Sequence, residues 1–179
     1  ELTEEELASA IRLDPGQFPG LGPSLDSLIR MLRERREKIL STWETQTVRR
    51  KAVKRLADSA RHAKPPGQFS KSFWNAVRTE QLYQLENLWY RAERVDPDFA
   101  ARLPALIETM GEKYQVDMLA SAYEFTGNAA LSIEQAIEVR QELQQIDELL
   151  KQLEEAKKNA RLAVIDLEEL SDFADPEAV

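Results

Sequence analysis

Few residues in this chain have the types and spacing that enzyme chemistry requires. The single imidazole, His62, follows Arg61 in a basic stretch, which predicts an exposed side chain and not a catalytic base. The sequence has no phosphate-binding Gly-x-x-x-x-Gly-Lys-Ser/Thr loop, no Gly-x-Ser-x-Gly elbow and no His-Glu-x-x-His pair. The Glu-x-x-His motif that di-iron bundles need twice is also absent. We therefore expect no enzymatic activity and no cofactor.

Metal-binding patterns are also missing from the sequence. Acidic clusters such as Glu4 to Glu6 could attract a hard cation, but they lack the alternating acids, central Gly and closing Glu of an EF-hand loop. The chain has no cysteine, which excludes disulfides and thiolate metal sites. We therefore expect no metal site, and acids in a first helical turn explain Glu4 to Glu6.

The composition favours an all-α protein. Of 179 residues, 42% are hydrophobic and 31% charged, with only 6 glycines, and β-branched runs are rare. No apolar run approaches the ~18 residues that a bilayer-spanning helix needs, so we expect a cytoplasmic protein without membrane contact. Because the chain begins at Glu1 and not at Met, we expect it to be part of a longer protein.

A long amphipathic helix from Ser132 to about Leu170 is the strongest structural signal. Its apolar residues recur on alternating three- and four-residue steps, the a/d pattern of a coiled coil, interrupted by Lys157. Such a seam packs against another helix, either of this chain or of a partner. Lys157 should then reach water or meet an acid on the neighbouring helix. The candidate partner-binding residues of the seam are Leu143, Ile146, Leu150, Leu153, Val164 and Leu167.

The sequence before this helix divides at turn and capping signals. We predict a short capping helix and Pro/Gly loop over residues 1–23, a helical bundle over 24–131, and the long seam helix with an acidic tail over 132–179. Within the bundle, one helix should run from about Ser70 to Val95. The further boundary signals are a kink or break near Thr45, an end at Lys64-Pro65-Pro66-Gly67, a start at Asp96-Pro97, a kink or division at Pro104, and a capping box at Ser132 and Gln135.

Charge is segregated along the chain. The net charge of −8 disfavours nucleic acid as a partner, yet a basic run precedes Lys64 and an acidic run follows Asp166. These runs could be solvated helix faces, or could pair within the fold, between copies or with another protein. The candidate partner-binding residues of the basic patch are Arg49, Arg50, Lys51, Lys54 and Arg55.

Aromatic residues cluster in the predicted helix that ends at Val95. Phe73 and Trp74, and likewise Trp89 and Tyr90, are adjacent in sequence and cannot share one helix face. Either this helix is buried on more than one side, or Trp74 or Tyr90 is an exposed anchor for a partner. We favour burial, because a central bundle helix needs a broad apolar face.

Four further segments carry a family resemblance: Leu32 to Leu40, Tyr123-Glu124-Phe125-Thr126-Gly127, Ile146 to Leu150 and Asn159 to Asp166. They resemble the helical N-terminal region of bacterial von Willebrand factor A proteins that partner MoxR-type AAA+ ATPases. The Asp-x-Ser-x-Ser metal loop of the von Willebrand domain occurs nowhere in the chain. The resemblance implies a bacterial cytoplasmic adaptor that helps the ATPase to act on a client protein.

These observations give three functional hypotheses. The first is a non-enzymatic protein–protein interaction module, which the resemblance would connect to a MoxR-type ATPase and its client. The second is a structural protein that forms a homodimer through the seam. The third is nucleic-acid binding through the basic run from Arg49 to Lys64.

Overall fold

The computed structural model describes residues 22–173, with side chains described from 25 to 161, and it is almost entirely helical. The all-α prediction is confirmed, including the long C-terminal helix. The helices are α1 (Gly22–Thr42), α2 (Gln46–Ala63), α3 (Gly67–Thr79), α4 (Leu82–Val95), α5 (Pro97–Ala122) and α6 (Ile133–Phe173), and the two short strands are β1 (Trp43–Glu44) and β2 (Ala129–Ala130). None of these helices is long and apolar enough to cross a membrane. The predicted capping helix and Pro/Gly loop lie outside the described residues.

Helix boundaries follow the capping signals of the sequence. The Asp96 carboxylate accepts the N–H of Phe99 at 3.1 Å, and α5 begins at Pro97. At the start of α6 the Ser132 hydroxyl accepts the N–H of Gln135 at 3.1 Å, and the Gln135 side chain accepts the N–H of Ser132 at 3.0 Å. Each cap satisfies backbone N–H groups that lack a partner within the helix. Both predicted start signals are therefore confirmed.

The predicted break near Thr45 is confirmed. The residues at the break form β1, which pairs with β2 in parallel. β1 separates α1 from α2 and pairs with β2, with Trp43 opposite Ala129. The N–H of Thr126 donates to the Leu40 carbonyl at 2.9 Å. Gly127 lies so close that a Cβ atom there would stand 2.1 Å from the carbonyl carbon of Thr42. The loop before α6 is thus tied to the end of α1 by contacts that only glycine permits.

One boundary prediction is wrong, and one is narrowed. The helix predicted to run to Val95 is interrupted, because Glu80 has a φ of 52° and its N–H bonds back to the carbonyls of Ala76 and Val77. This left-handed cap ends α3, and α4 starts at Leu82. Of the kink or division predicted at Pro104, the division does not occur, because α5 is one helix from Pro97 to Ala122.

The chain forms two compact units, and they group the residues differently from the three regions drawn from the sequence. One unit contains residues 40–140. Here α5 packs against both α2 and α4, and α4 packs against α3. Phe99 on α5 stacks on Phe69 at 5.6 Å between ring centroids and meets the edge of Phe73 at 5.9 Å. These rings place α3 and the start of α5 around one buried core.

In the described part of the chain, the other unit joins residues 22–39 to residues 141–173. Its described buried side chains are Leu25, Leu28, Ile29, Leu32 and Ile39 on α1, and Leu143, Ile146, Leu149, Leu150 and Leu153 on α6. Among the described side chains, ion pairs connect the two helices: Asp26 with Lys157, Arg33 with Glu154, Arg36 with Asp147, and Arg35 with Glu142. Residue numbers broadly rise along α1 as they fall along α6, so the helices are antiparallel. The prediction that Lys157 meets an acid on a neighbouring helix is confirmed.

The close approach at Gly127 predicts a measurable cost for any side chain there. We expect Gly127→Ala to lower the free energy of unfolding by about 1–3 kcal/mol, because the new methyl group overlaps the backbone of Thr42. Urea denaturation followed by circular dichroism measures the change. Gly111→Ala is the matched control, since its methyl group meets nothing within 4 Å inside α5 and should raise stability by roughly 0.5–1 kcal/mol. Equal stability of the two variants would contradict the tight contact.

Candidate functional site

The seam residues predicted to contact a partner are buried inside this chain. Leu143, Ile146 and Leu153 have no solvent exposure and Leu150 only 9%, in the unit where α6 pairs with α1. The side chains of Val164 and Leu167 lie outside the described part of the chain. At residues 143–153 the seam thus meets a helix of the same protein, and a partner could reach these side chains only if the helices separated.

Part of the predicted basic patch is used within the fold. The guanidinium of Arg49 lies 3.7 Å from the Asp117 carboxylate of α5. Arg55 lies 3.5 Å from Glu112 and donates to Glu134 at 3.0 Å. The Glu134 hydrogen bond and nearby acidic charges raise the pKa of Arg55. Arg49 and Arg55 therefore hold α2 against α5 and the start of α6.

The other predicted basic residues remain available. Arg50, Lys51 and Lys54 are exposed and form no ion pair or hydrogen bond within residues 25–161. We call these three side chains the basic face of α2. Their charges are not compensated locally, although the protein carries a net charge of −8. The basic face is therefore a local positive surface on an acidic protein.

An open groove of about 420 Å³ borders the basic face. Its lining residues are Lys51, Lys54, Arg55, Asp58, Ser59 and His62 on α2, and Thr109 on α5. The ring nitrogen Nδ1 of His62 lies 2.6 Å from the carbonyl oxygen of Asp58, and the side chain is exposed as predicted. Among the described residues, no group of three or more His, Cys, Asp or Glu side chains could hold a metal ion.

The favoured prediction that the adjacent aromatic residues are all buried is wrong. Trp74 is 43% exposed and Tyr90 is 65% exposed. The break at Glu80 explains the difference, because α3 and α4 each bury their own face instead of forming one helix buried on several sides. The Tyr90 ring stacks on Trp89 at 5.8 Å between centroids. Both Trp74 and Tyr90 are therefore exposed, and a role for either as an anchor for a partner stays a prediction.

Sequence reasoning missed Tyr83, which is 59% exposed. Tyr83 and Tyr90 are separated by two helical turns and therefore share the outer face of α4. Their seven-residue spacing was visible in the sequence. It could be interpreted only once Leu85, Leu88 and Ala92 were known to form the opposite, buried face.

A buried cation fixes the turn between α3 and α4. Lys113 of α5 is 8% exposed, and its ammonium group donates to Glu80 at 2.8 Å and to Asp117 at 2.7 Å. Burial alone would lower the pKa of Lys113, but the hydrogen bonds to the two carboxylates outweigh it and raise the pKa above 10.5. Arg49 of α2 also faces Asp117. The network therefore joins α2, α5 and the turn at Glu80.

Comparison with models of protein families, with curated protein sequences and with solved structures finds no match for this chain. The surfaces described above must therefore be interpreted from their own geometry and chemistry. Among the described residues, the basic face of α2 and the tyrosine-bearing face of α4 are both exposed. Both belong to the unit of residues 40–140.

Removing the buried cation should destabilise this unit. We expect Lys113→Met to lower the free energy of unfolding by about 2 kcal/mol, less than the roughly 3–5 kcal/mol of a fully buried pair. The expected loss of stability is smaller than for a fully buried pair because water still reaches Glu80 and Asp117, whose side chains are 42% and 32% exposed. Urea denaturation measures the loss. Lys71→Met, an exposed lysine on α3, should change stability little, and equal effects would exclude the buried ion pairs.

The same network predicts a loss of stability in alkaline solution. Because the pKa of Lys113 is higher in the folded protein, its contribution is complete below the unfolded value of about 10.5 and disappears as the pH rises through the folded value. We expect the stability difference between wild type and Lys113→Met to shrink above pH 10.5. Denaturation at a series of alkaline pH values checks this, and a constant difference would contradict it.

Proposed function

We propose that this chain is a non-enzymatic protein–protein interaction module whose basic face binds an acidic helix of a partner protein. The observation that carries the proposal is the exposure of Arg50, Lys51 and Lys54 without any ion-pair partner among the described residues. An unpaired positive surface attracts acidic segments and orients them during encounter.

The spacing on α2 supports a helical partner. Arg50, Lys54, Ala57 and Arg61 follow one another at steps of four, three and four residues, so they form one stripe opposite the buried face of Val48, Ala52 and Leu56. The stripe is about 16 Å long at 1.5 Å per residue. Arg61 contacts Asp58 only at 3.5 Å, and its side chain is 72% exposed. A helix with acids at the same spacing could pair with all three cations.

Small apolar surface lies beside these charges. Val53 is 53% exposed, and Ala57 is half-buried in the middle of the stripe. Apolar contacts next to charged pairs exclude water and add favourable burial to weak surface ion pairs. The basic face therefore suits an amphipathic acidic helix better than a fully solvated acidic chain.

The resemblance described above suggests a partner. Helical regions beside von Willebrand domains in MoxR systems imply an adaptor role, and on that basis we propose a MoxR-type AAA+ ATPase, or its client, as the protein that carries the acidic helix. In this proposal the chain acts in a bacterial cytoplasm. The resemblance supports the identity of the partner, and the basic face of α2 supports the binding surface.

The two rival hypotheses have less support. Self-assembly through the seam would require α1 and α6 to separate, since Leu143, Ile146 and Leu153 are fully buried within the chain. Nucleic-acid binding through α2 would rely on a few cations, because Arg49 and Arg55 are already paired with acids of the fold. The net charge of −8 opposes a polyanion with one charge per phosphate more strongly than it opposes a helix that carries a few acids.

Neutralising the basic face tests the proposal. We expect the triple variant Arg50→Gln, Lys51→Gln and Lys54→Gln to weaken binding of a helical peptide with Glu at the spacing of Arg50, Lys54 and Arg61. The expected loss is about tenfold, corresponding to about 1.4 kcal/mol. Fluorescence anisotropy at low salt measures the affinity, which should fall as salt rises. The same measurement with a MoxR-type ATPase tests the partner.

The matched control neutralises the same number of charges elsewhere. Arg30→Gln, Lys151→Gln and Lys158→Gln alter three exposed cations on α1 and α6. An equal loss of affinity in this control would show that only net charge matters and would overturn docking on α2. Tighter binding of a DNA duplex than of the acidic peptide would instead favour the nucleic-acid hypothesis.

A further inference from the structure

A second groove lies between α3 and α4, away from the basic face. It has a volume of about 610 Å³ and is lined by Ser72, Asn75, Gln84, Asn87, Tyr90 and Arg91. This lining contains one hydroxyl, three carboxamides, one phenol and one guanidinium, and no carboxylate. The groove is therefore polar and carries a single positive charge.

The carboxamides retain unused hydrogen-bonding capacity. The Asn75 oxygen accepts from Arg78 at 3.0 Å, which leaves its NH₂ group free of any partner among the described residues. Asn87 and Arg91 form no hydrogen bond or ion pair within residues 25–161. A carboxamide presents a donor and an acceptor side by side, as a peptide group does. These side chains can therefore pair with the N–H and C=O groups of an extended chain.

Aromatic surface borders these amides. Tyr90 lines the groove with 65% of its surface exposed, and its ring is supported by Trp89. Tyr83 continues the same face two turns earlier. Tyrosine and arginine are the residues most enriched at energetically important positions of protein interfaces, because a rigid ring buries much area at little entropic cost. Tyr90 and Arg91 place a tyrosine and an arginine side by side in the lining of this groove.

The charge around the groove selects the partner. α3 contains Lys71 and Arg78 but no Asp or Glu, and α4 contains Arg91 and Arg94 with Glu86 and Glu93. Arg78 bonds to Asn75, which lines the groove on the α3 side, and Arg91 lines it on the α4 side. The two helices together carry an excess of positive charge, which a segment with acidic side chains complements.

We infer that this groove binds an extended acidic segment of a partner protein, at a site separate from the basic face. The carboxamides of Asn75 and Asn87 pair with the segment's backbone, the Tyr90 ring packs against a side chain, and Arg91 binds a carboxylate. Single-stranded nucleic acid also stacks on tyrosine, but it carries a charge on every phosphate, whereas the lining offers one cation and carboxamides that match a peptide backbone, so a peptide is favoured. The module would then hold two acidic elements at once.

Titration of the protein with the peptide Gly-Asp-Tyr-Asp-Gly, followed by NMR of the side-chain NH₂ groups, tests this inference. The protein carries the Arg50→Gln, Lys51→Gln and Lys54→Gln changes, so the peptide cannot report on the basic face. We expect the resonances of Asn75 and Asn87 to shift. Tyr90→Ala and Arg91→Gln should each weaken the binding at least about fivefold.

The control variant is Tyr114→Ala, which removes a tyrosine of similar exposure, 58%, from α5 outside the groove. It should leave peptide affinity unchanged. An absence of amide shifts at millimolar peptide, an equal loss in Tyr114→Ala, or tighter binding of oligouridylate than of the peptide would each overturn the inference. Because the basic face is neutralised throughout, failure here leaves the function proposed for α2 intact.

Discussion

The ammonium group of Lys113 is the contact on which the geometry of the unit of residues 40–140 depends. A buried cation is tolerated only where carboxylates replace its water, and here Glu80 and Asp117 do so at 2.8 and 2.7 Å. Glu80 occupies its left-handed conformation at the end of α3, so the same residue ends a helix and satisfies the cation. The angle at which α3 meets α4, and hence the groove between them, is thereby coupled to the middle of α5.

Local signals in the sequence were sufficient for much of the fold. The capping box of Ser132 and Gln135 and the Asp96-Pro97 pair act through atoms three residues apart, and the structure contains both as predicted. The break after α2 follows from two consecutive prolines after Lys64, which cannot continue a helix. The heptad pattern likewise predicted a long helix that buries its apolar stripe.

Features decided by distant contacts could not be predicted in this way. Nothing near Glu80 resembles a turn sequence. The group that stabilises the turn, Lys113, lies 33 residues away, so local sequence does not reveal it. A heptad pattern shows that a helix needs a partner but does not identify it, and ion pairs such as Arg36 with Asp147 connect residues 111 apart. The free and paired cations of α2 also look alike in sequence. The positions of Asp117, Glu112 and Glu134 on other helices separate Arg49 and Arg55 from Lys54.

The antiparallel pairing of α1 with α6 has a consequence for biosynthesis. Arg33 and Glu154 are separated by 121 residues, so α1 leaves the ribosome long before the helix that covers it exists. The intervening residues 40–140 are complete earlier and have their own core. During translation the leucines of α1 are therefore exposed to solvent until α6 is synthesised. Nascent chains with exposed apolar side chains are prone to aggregation and bind chaperones. The large sequence separation also adds an entropic cost to the closure of this pairing, which slows its formation.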